Sequence, residues 1–147
     1  MLNESCIFCK IVRKAEPASC VYEDERVMAF LDIRPMNEGH TLVIPKKHYA
    51  TIYDVPEDEV TYLYRIVRRV AWAVKKGVDA GGISITQHNE AAAGQDVFHV
   101  HVHVIPRYEG QRLPRFEEIP EANREALEEV AGKIRKHVKW TTLSNQS

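Results

Sequence analysis

Seven histidines and three cysteines carry most of the reactive chemistry of this 147-residue chain. Three of the histidines fall in one run, Gly94-Gln95-Asp96-Val97-Phe98-His99-Val100-His101-Val102-His103-Val104-Ile105-Pro106-Arg107. The alternation from Val97 to Ile105 is that of a half-buried strand. Side chains of a strand point to opposite faces in turn, so His99, His101 and His103 share one face and Phe98, Val100, Val102 and Val104 the other. At roughly 3.3 Å of rise per residue, neighbouring imidazoles stand about 6 to 7 Å apart. Pro106 lacks an N–H and is expected to end the pairing. The apolar row suits burial against helices, and the histidine row must face a ligand, a metal or water. Three histidines in perfect alternation are poorly explained as an ordinary polar face, and three imidazoles along one strand do not easily converge on one ion. Catalysis is the stronger reading, because neutral imidazole, with an ordinary pKa of about 6.5, is a nucleophile and a proton carrier near neutral pH.

Cys6 and Cys9 form a C-x-x-C pair. This spacing lets two thiolates share one tetrahedral ion, which makes half of a zinc site. A small buried pair of thiols is the plainer alternative. A redox motif is disfavoured, because no strand precedes the pair to set up a thioredoxin-like turn. Cys20 reads as a small apolar side chain.

The elements that must position these groups follow from periodicity. Val21 to Glu23 and Val27 to Leu31 are expected as strands around the turn Asp24-Glu25-Arg26. Gly39 opens a further strand, His40 to Ile44, which Pro45 ends. Lys46 and Lys47 read as a solvated basic turn. Asp54 as N-cap, Pro56 in the first turn and Glu57 reaching back predict a helix start. Val60, Leu63, Tyr64, Val67, Val70, Ala71 and Val74 then recur at helical spacing, with Lys75 and Lys76 in the last turn and Gly77 at the end. Gly81-Gly82 lead into a strand, Ile83 to Gln87. Residues 88–95 form a loop of small residues that would let a ligand approach backbone N–H groups. A last helix runs roughly from Glu121 to His137, with Leu127, Val130, Ala131, Ile134 and Val138 on one face, packed on the body or on a partner subunit.

Length suits one domain with a real core. A net charge of −1 gives no general basic surface for a nucleic acid polymer or a membrane. No apolar run approaches the ~18 residues of a membrane span and no signal peptide precedes Cys6, so a cytoplasmic protein is expected. An odd number of cysteines argues against a disulfide framework.

Five blocks carry a resemblance: Ser5-Cys6-Ile7-Phe8-Cys9-Lys10-Ile11, Phe30-Leu31-Asp32-Ile33-Arg34-Pro35, Gly39 to His48, Ala93-Gly94-Gln95, and His99 to Arg107. In this order they are similar to the histidine triad (HIT) family of nucleotide hydrolases and transferases, over Cys6 to Arg107. The resemblance implies an α+β, HIT-like fold: a mainly antiparallel sheet of about five strands with two principal helices. The core would span about residues 5–108, with a helical extension over 109–147, in a single domain that forms a homodimer. It implies a structural zinc on Cys6, Cys9, His48 and His99, which leaves His101 free as the nucleophile, with His103 and His40 in support. Asp32 would hold the ribose, although a loop-capping Asp is the plainer reading, and Ile33 would lie against the base. Gly94, Gln95 and Val97 would contact the nucleotide, together with an amide for which Asn89 is the candidate and His88 the neighbour one register away. Asp96 stands where some branches place a Ser or Thr that donates to the leaving group. An ionised Asp cannot donate, so its backbone N–H is the donor that position offers. Trp140 is a candidate for reaching substrate across a subunit boundary. The implied activity is hydrolysis at the α-phosphate of purine nucleoside phosphoramidates or related conjugates, through a nucleotidyl-histidine. The alternatives are a dinucleoside polyphosphate hydrolase and a nucleotide-binding sensor with little catalysis.

Overall fold

A computed structural model of the chain describes residues 3–139; Trp140 lies outside them. Five strands make one antiparallel sheet in the order β1-β2-β3-β5-β4. They are β1 Cys20–Glu23, β2 Val27–Leu31, β3 Thr41–Pro45, β4 Gly82–Gln87 and β5 Val102–Arg107. Three α-helices accompany them: α1 Ile7–Val12, α2 Glu57–Gly77 and α3 Arg124–Arg135. The sheet and the two longer helices agree with the expected α+β architecture.

Alternation along the strands sorts the core into two layers. Val27, Ala29 and Leu31 of β2, Val43 of β3, and Val102 and Val104 of β5 share one cluster with α2 and α3. The residues between them, Met28, Phe30, Leu42 and Ile44, pack instead with Phe8 and Ile11 of α1. Leu42 pairs directly with His103 across β3 and β5, so the histidine row lies on the α1 face. Asp24 locks the β1–β2 turn: its Oδ1 accepts from Arg26 N and Val27 N, each at 2.8 Å. Its Oδ2 accepts from the Tyr22 hydroxyl at 2.7 Å and from the Tyr62 hydroxyl, which ties the hairpin to α2.

Several expectations are corrected. The β5 ladder begins at Val102, not at Val97, because the residues before it bond elsewhere: Val100 N donates to Tyr49 O at 2.8 Å. Pro106 does not end pairing. It sits inside β5 opposite Ile83 of β4, beyond the last β3 partner at Val104, and its carbonyl accepts from Asn37 Nδ2 at 2.7 Å. Asp54 does not cap α2; it closes a short 3₁₀ turn, Ile52–Asp54, and accepts from Thr51 Oγ1 at 3.3 Å. The extended backbone that Pro56 imposes on Val55 separates that turn from the helix. Glu57, Asp58 and Glu59 then complement the dipole at its start. Tyr64 turns out to be 38% exposed, while Ile66 and Ala73 complete the buried stripe. Gly77 is the last residue of α2, and its reason is close approach: a Cβ there would stand 2.9 Å from Ile134 Cα of α3. The last helix is shorter than expected, capped by Asn123, whose Oδ1 accepts from Glu125 N and Ala126 N.

Candidate active site and metal centre

Helix α1 begins at the first cysteine. Cys6 is its N-cap, and Cys9 N lies 3.4 Å from Cys6 Sγ. One helical turn therefore brings both sulfurs to one spot. His48, just after β3, and His99, just before β5, meet them there. Cys6 Sγ lies 3.5 Å from His99 Nδ1, and Cys9 Sγ lies 3.3 Å from His48 Nδ1 and 3.6 Å from His99 Nδ1. The four ligand atoms all lie within 4.8 Å of one another. Zinc–sulfur and zinc–nitrogen bonds of about 2.3 and 2.0 Å give tetrahedral edges of about 3.5 Å, so the donor set and its spacing both fit zinc. The outer contacts fit as well. His99 Nε2 donates to Pro45 O at 2.8 Å, which leaves Nδ1 bare toward the sulfurs. Burial lowers His99 to about 4 and raises the Cys9 thiol, so the site favours a neutral imidazole, and a cation is what would draw a thiolate from Cys9.

Partners along the rest of the row assign the other tautomers. His101 Nδ1 donates to the His99 carbonyl at 2.8 Å, so its Nε2 carries the free lone pair. Met36 N donates to His40 Nδ1 at 3.0 Å. The His40 proton is then on Nε2, which donates to His103 Nδ1 at 2.9 Å, and His103 is left with Nε2–H. Burial pulls His40 down to about 3 and His103 to about 4. The contact of His40 Nε2 with Asp32 Oδ2 at 3.5 Å is thus made by a neutral imidazole and is no ion pair near neutral pH. Asp32, His40 and His103 are also close enough to hold an ion. Their hydrogen bond, however, already occupies the proton and lone pair that a cation would have to displace.

Two cavities meet at this row. The first, about 340 Å³, runs past Ile7, Phe8, Ile11, Ile33 and Val97 and reaches His101. The second, about 260 Å³, is lined by Met36, His40, His88 and Gly94. Asp32, Arg34, Asp96 and His103 line both. Phe8 stands edge-on to His101, with ring centroids 5.1 Å apart. Helix α1 therefore supplies two metal-site sulfurs and the aromatic wall beside the middle histidine. Asp32 Oδ1 accepts from Arg34 N at 3.0 Å, and burial raises its carboxyl. Asp96 Oδ1 lies 3.4 Å from His101 Nε2 and accepts from Val97 N at 2.9 Å. A hydrogen bond from His101 with a proton on Nε2 would hold the Asp96 carboxyl down to about 2; with Nε2 bare, the two atoms face each other as acceptors and Val97 N remains a donor to Asp96.

Two residues expected at the ligand make hydrogen bonds within the chain. Gln95 Nε2 donates to Ala50 O and Val97 O, and its Oε1 accepts from Glu90 N at 2.6 Å. It fixes the loop in front of the histidines. Asn89 Oδ1 accepts from Ile52 N at 2.8 Å, and its amide pairs with that of Gln87. Its neighbour His88 lines the second cavity, with its ring centroid 5.7 Å from that of His103. Gly94 keeps a φ of +92°, a conformation that favours glycine. Sequence reasoning missed Phe8 and Arg34 at the cavity walls, although both lie inside motif blocks that were legible.

The HIT domain family description matches residues 13–110. The chain is 48% identical over 130 residues to a HIT-like protein of Methanocaldococcus jannaschii, covering 86% of this chain and 99% of that one. It is 39% identical over 108 residues to the Arabidopsis thaliana adenylylsulfatase HINT3, covering 74% of this chain and 55% of the plant protein. A zinc-bound histidine triad family protein from Mycobacterium smegmatis superposes with a TM-score of 0.82 at 37% identity, over 98% of this chain and 99% of that one.

Proposed function

This chain belongs to the HIT domain family of nucleotide-binding hydrolases, and from that premise we propose that it hydrolyses purine nucleoside phosphoramidates or related conjugates at the α-phosphorus. The observation that carries the reading is His101: its Nδ1–H is held by the His99 carbonyl, and its Nε2 faces the first cavity beside Asp96 and His103, which line both cavities. The apolar first cavity takes the nucleoside, with Asp32 at the ribose hydroxyls and Ile33 against the base. Nε2 attacks phosphorus, the bond to the leaving nitrogen breaks, and that nitrogen takes up a proton from water. Water then attacks the nucleotidyl-His101 adduct, loses a proton and frees the monophosphate. The Nε2–H of His103, backed by His40, donates to the phosphoryl oxygens. A module that only binds nucleotides would not need the free lone pair on His101. Acid-quench trapping with a substrate labelled in its α-phosphate tests this: the label should map to His101, and label on His99 or His103 would refute it.

Zinc on Cys6, Cys9, His48 and His99 is the second part of the reading. It is supported by the donor geometry and by the zinc-bound mycobacterial relative. With all four positions filled by protein, the ion would be structural and would supply folding energy. Elemental analysis should find one zinc per chain, and no metal and no uptake would end the idea. A homodimer is the third part, supported by β4 as an edge strand with Ile85 46% exposed and by Tyr64 and Trp72 of α2 at 38% and 57%. Sedimentation analysis decides it. No helix among the described residues is long and apolar enough to cross a membrane, and the three free thiols suit a cytoplasmic, reducing compartment.

A further inference from the structure

We propose that Asp96 selects the leaving group by charge, favouring amines and rejecting polyphosphates; this rests on the α-phosphorus reading given above. With the nucleoside in the first cavity, the group that departs has to enter the second. The two share Asp32, Arg34, Asp96 and His103, so phosphorus sits at that junction and Asp96 stands at the entrance to the second space.

The charges around that entrance are unequal. Asp96 is a carboxylate with its side chain 54% exposed, and Asp32 lies on the same wall. His40 and His103 are neutral near pH 7. Among the described residues lining the second cavity the one guanidinium is Arg34, which also reaches Glu121 at 4.0 Å. The contacts of Asp96 with Val97 N and His101 Nε2 both fall on Oδ1, which leaves Oδ2 to accept a hydrogen bond from a departing group. As the phosphorus–nitrogen bond breaks, the nitrogen takes up a proton and carries positive character in the transition state, and the electron pair it then keeps makes it the neutral amine. A carboxylate beside it stabilises that change. A polyphosphate leaving group gains negative charge at the same place and is repelled. The α-phosphate is common to all substrates, so its own repulsion by Asp96 cancels in any ratio between leaving groups. A serine or threonine at this position would donate to an anionic leaving oxygen; an ionised Asp only accepts.

The test uses the full chain and three adenylates of graded charge: AMP joined through Nε to lysine amide, AMP-morpholidate and diadenosine tetraphosphate. Native kcat/KM should fall in that order. Asp96→Asn, which keeps the shape and removes the charge, should compress the lysine-amide to tetraphosphate ratio at least about tenfold, chiefly by raising the tetraphosphate. Asp96→Glu should retain the native order. One common factor for all three substrates in Asp96→Asn would overturn the assignment. So would native protein that turns over the tetraphosphate as fast as the lysine conjugate, which decides the matter even if the variant does not fold. Failure of native protein to hydrolyse any of the three would instead overturn the α-phosphorus reading, and this one with it.

Discussion

His101 has little freedom over which nitrogen it offers, because a main-chain oxygen two residues back claims the other at 2.8 Å. His101→Ala should therefore lower turnover by about 10³-fold or more while leaving nucleoside monophosphate affinity nearly unchanged. His103→Ala should slow both steps but still accumulate labelled His101. Single-turnover kinetics and equilibrium dialysis separate the two. The residue types of this centre were legible in the sequence, since alternation marks His101 and His103, and the family resemblance points to His40 and Asp32. The tautomers were not. They depend on Pro45 O, His99 O and Met36 N, main-chain groups whose positions no side-chain pattern reports. The amides of Gln95 and Asn89 illustrate the same limit: a sequence names a polar side chain, and the fold decides whether substrate or backbone receives it.

Helix α1 was invisible to periodicity because it has six residues, less than two turns. The cysteine spacing was its trace, since three residues make about one turn. This short element carries Cys6, Cys9 and Phe8, so loss of a metal held by the two cysteines should act on the first cavity as well as on stability. Cys6→Ser with Cys9→Ser should lower the melting temperature by about 10 °C and raise KM more than it lowers kcat; calorimetry and steady-state kinetics check both. Strands β1 to β4 were legible as short runs of strand-forming residues bounded by turn, Gly and Pro signals, and helix α2 because its 3.6-residue period runs long enough to count. The start of β5 was not, since Val97 to His101 alternate in sequence while bonding outside the ladder. Helices α2 and α3 cross at Gly77. Alanine is the better helix former by about 1 kcal/mol, but its Cβ would meet Ile134 Cα at 2.9 Å. Overpacking should win, and Gly77→Ala should destabilise the protein by about 1–3 kcal/mol in chemical denaturation.

At the scale of the whole molecule, the sheet encloses imidazoles that fold in the neutral state. The folded values of His40 and His103, about 3 and about 4, lie below the unfolded value of about 6.5. As pH falls below about 6.5, the unfolded chain binds protons that the folded chain refuses, so stability is full above that pH and declines down to about 4 and then 3. Each such group adds up to about 1.4 kcal/mol per pH unit to the slope. Urea midpoints taken from pH 8 to pH 4 should be flat at first and then fall, and His40→Asn should flatten the acid limb. His99 joins the two halves of this interior. Its ring faces the thiols, and its carbonyl holds His101, the proposed nucleophile. Any ion that stiffens that peptide must alter how tightly a nucleotide sits against His101. Linkage then obliges the nucleotide to return the same factor, so saturating monophosphate should shift the dissociation constant of a metal held there, read by chelator competition at equilibrium, by the factor with which that metal shifts the nucleotide's.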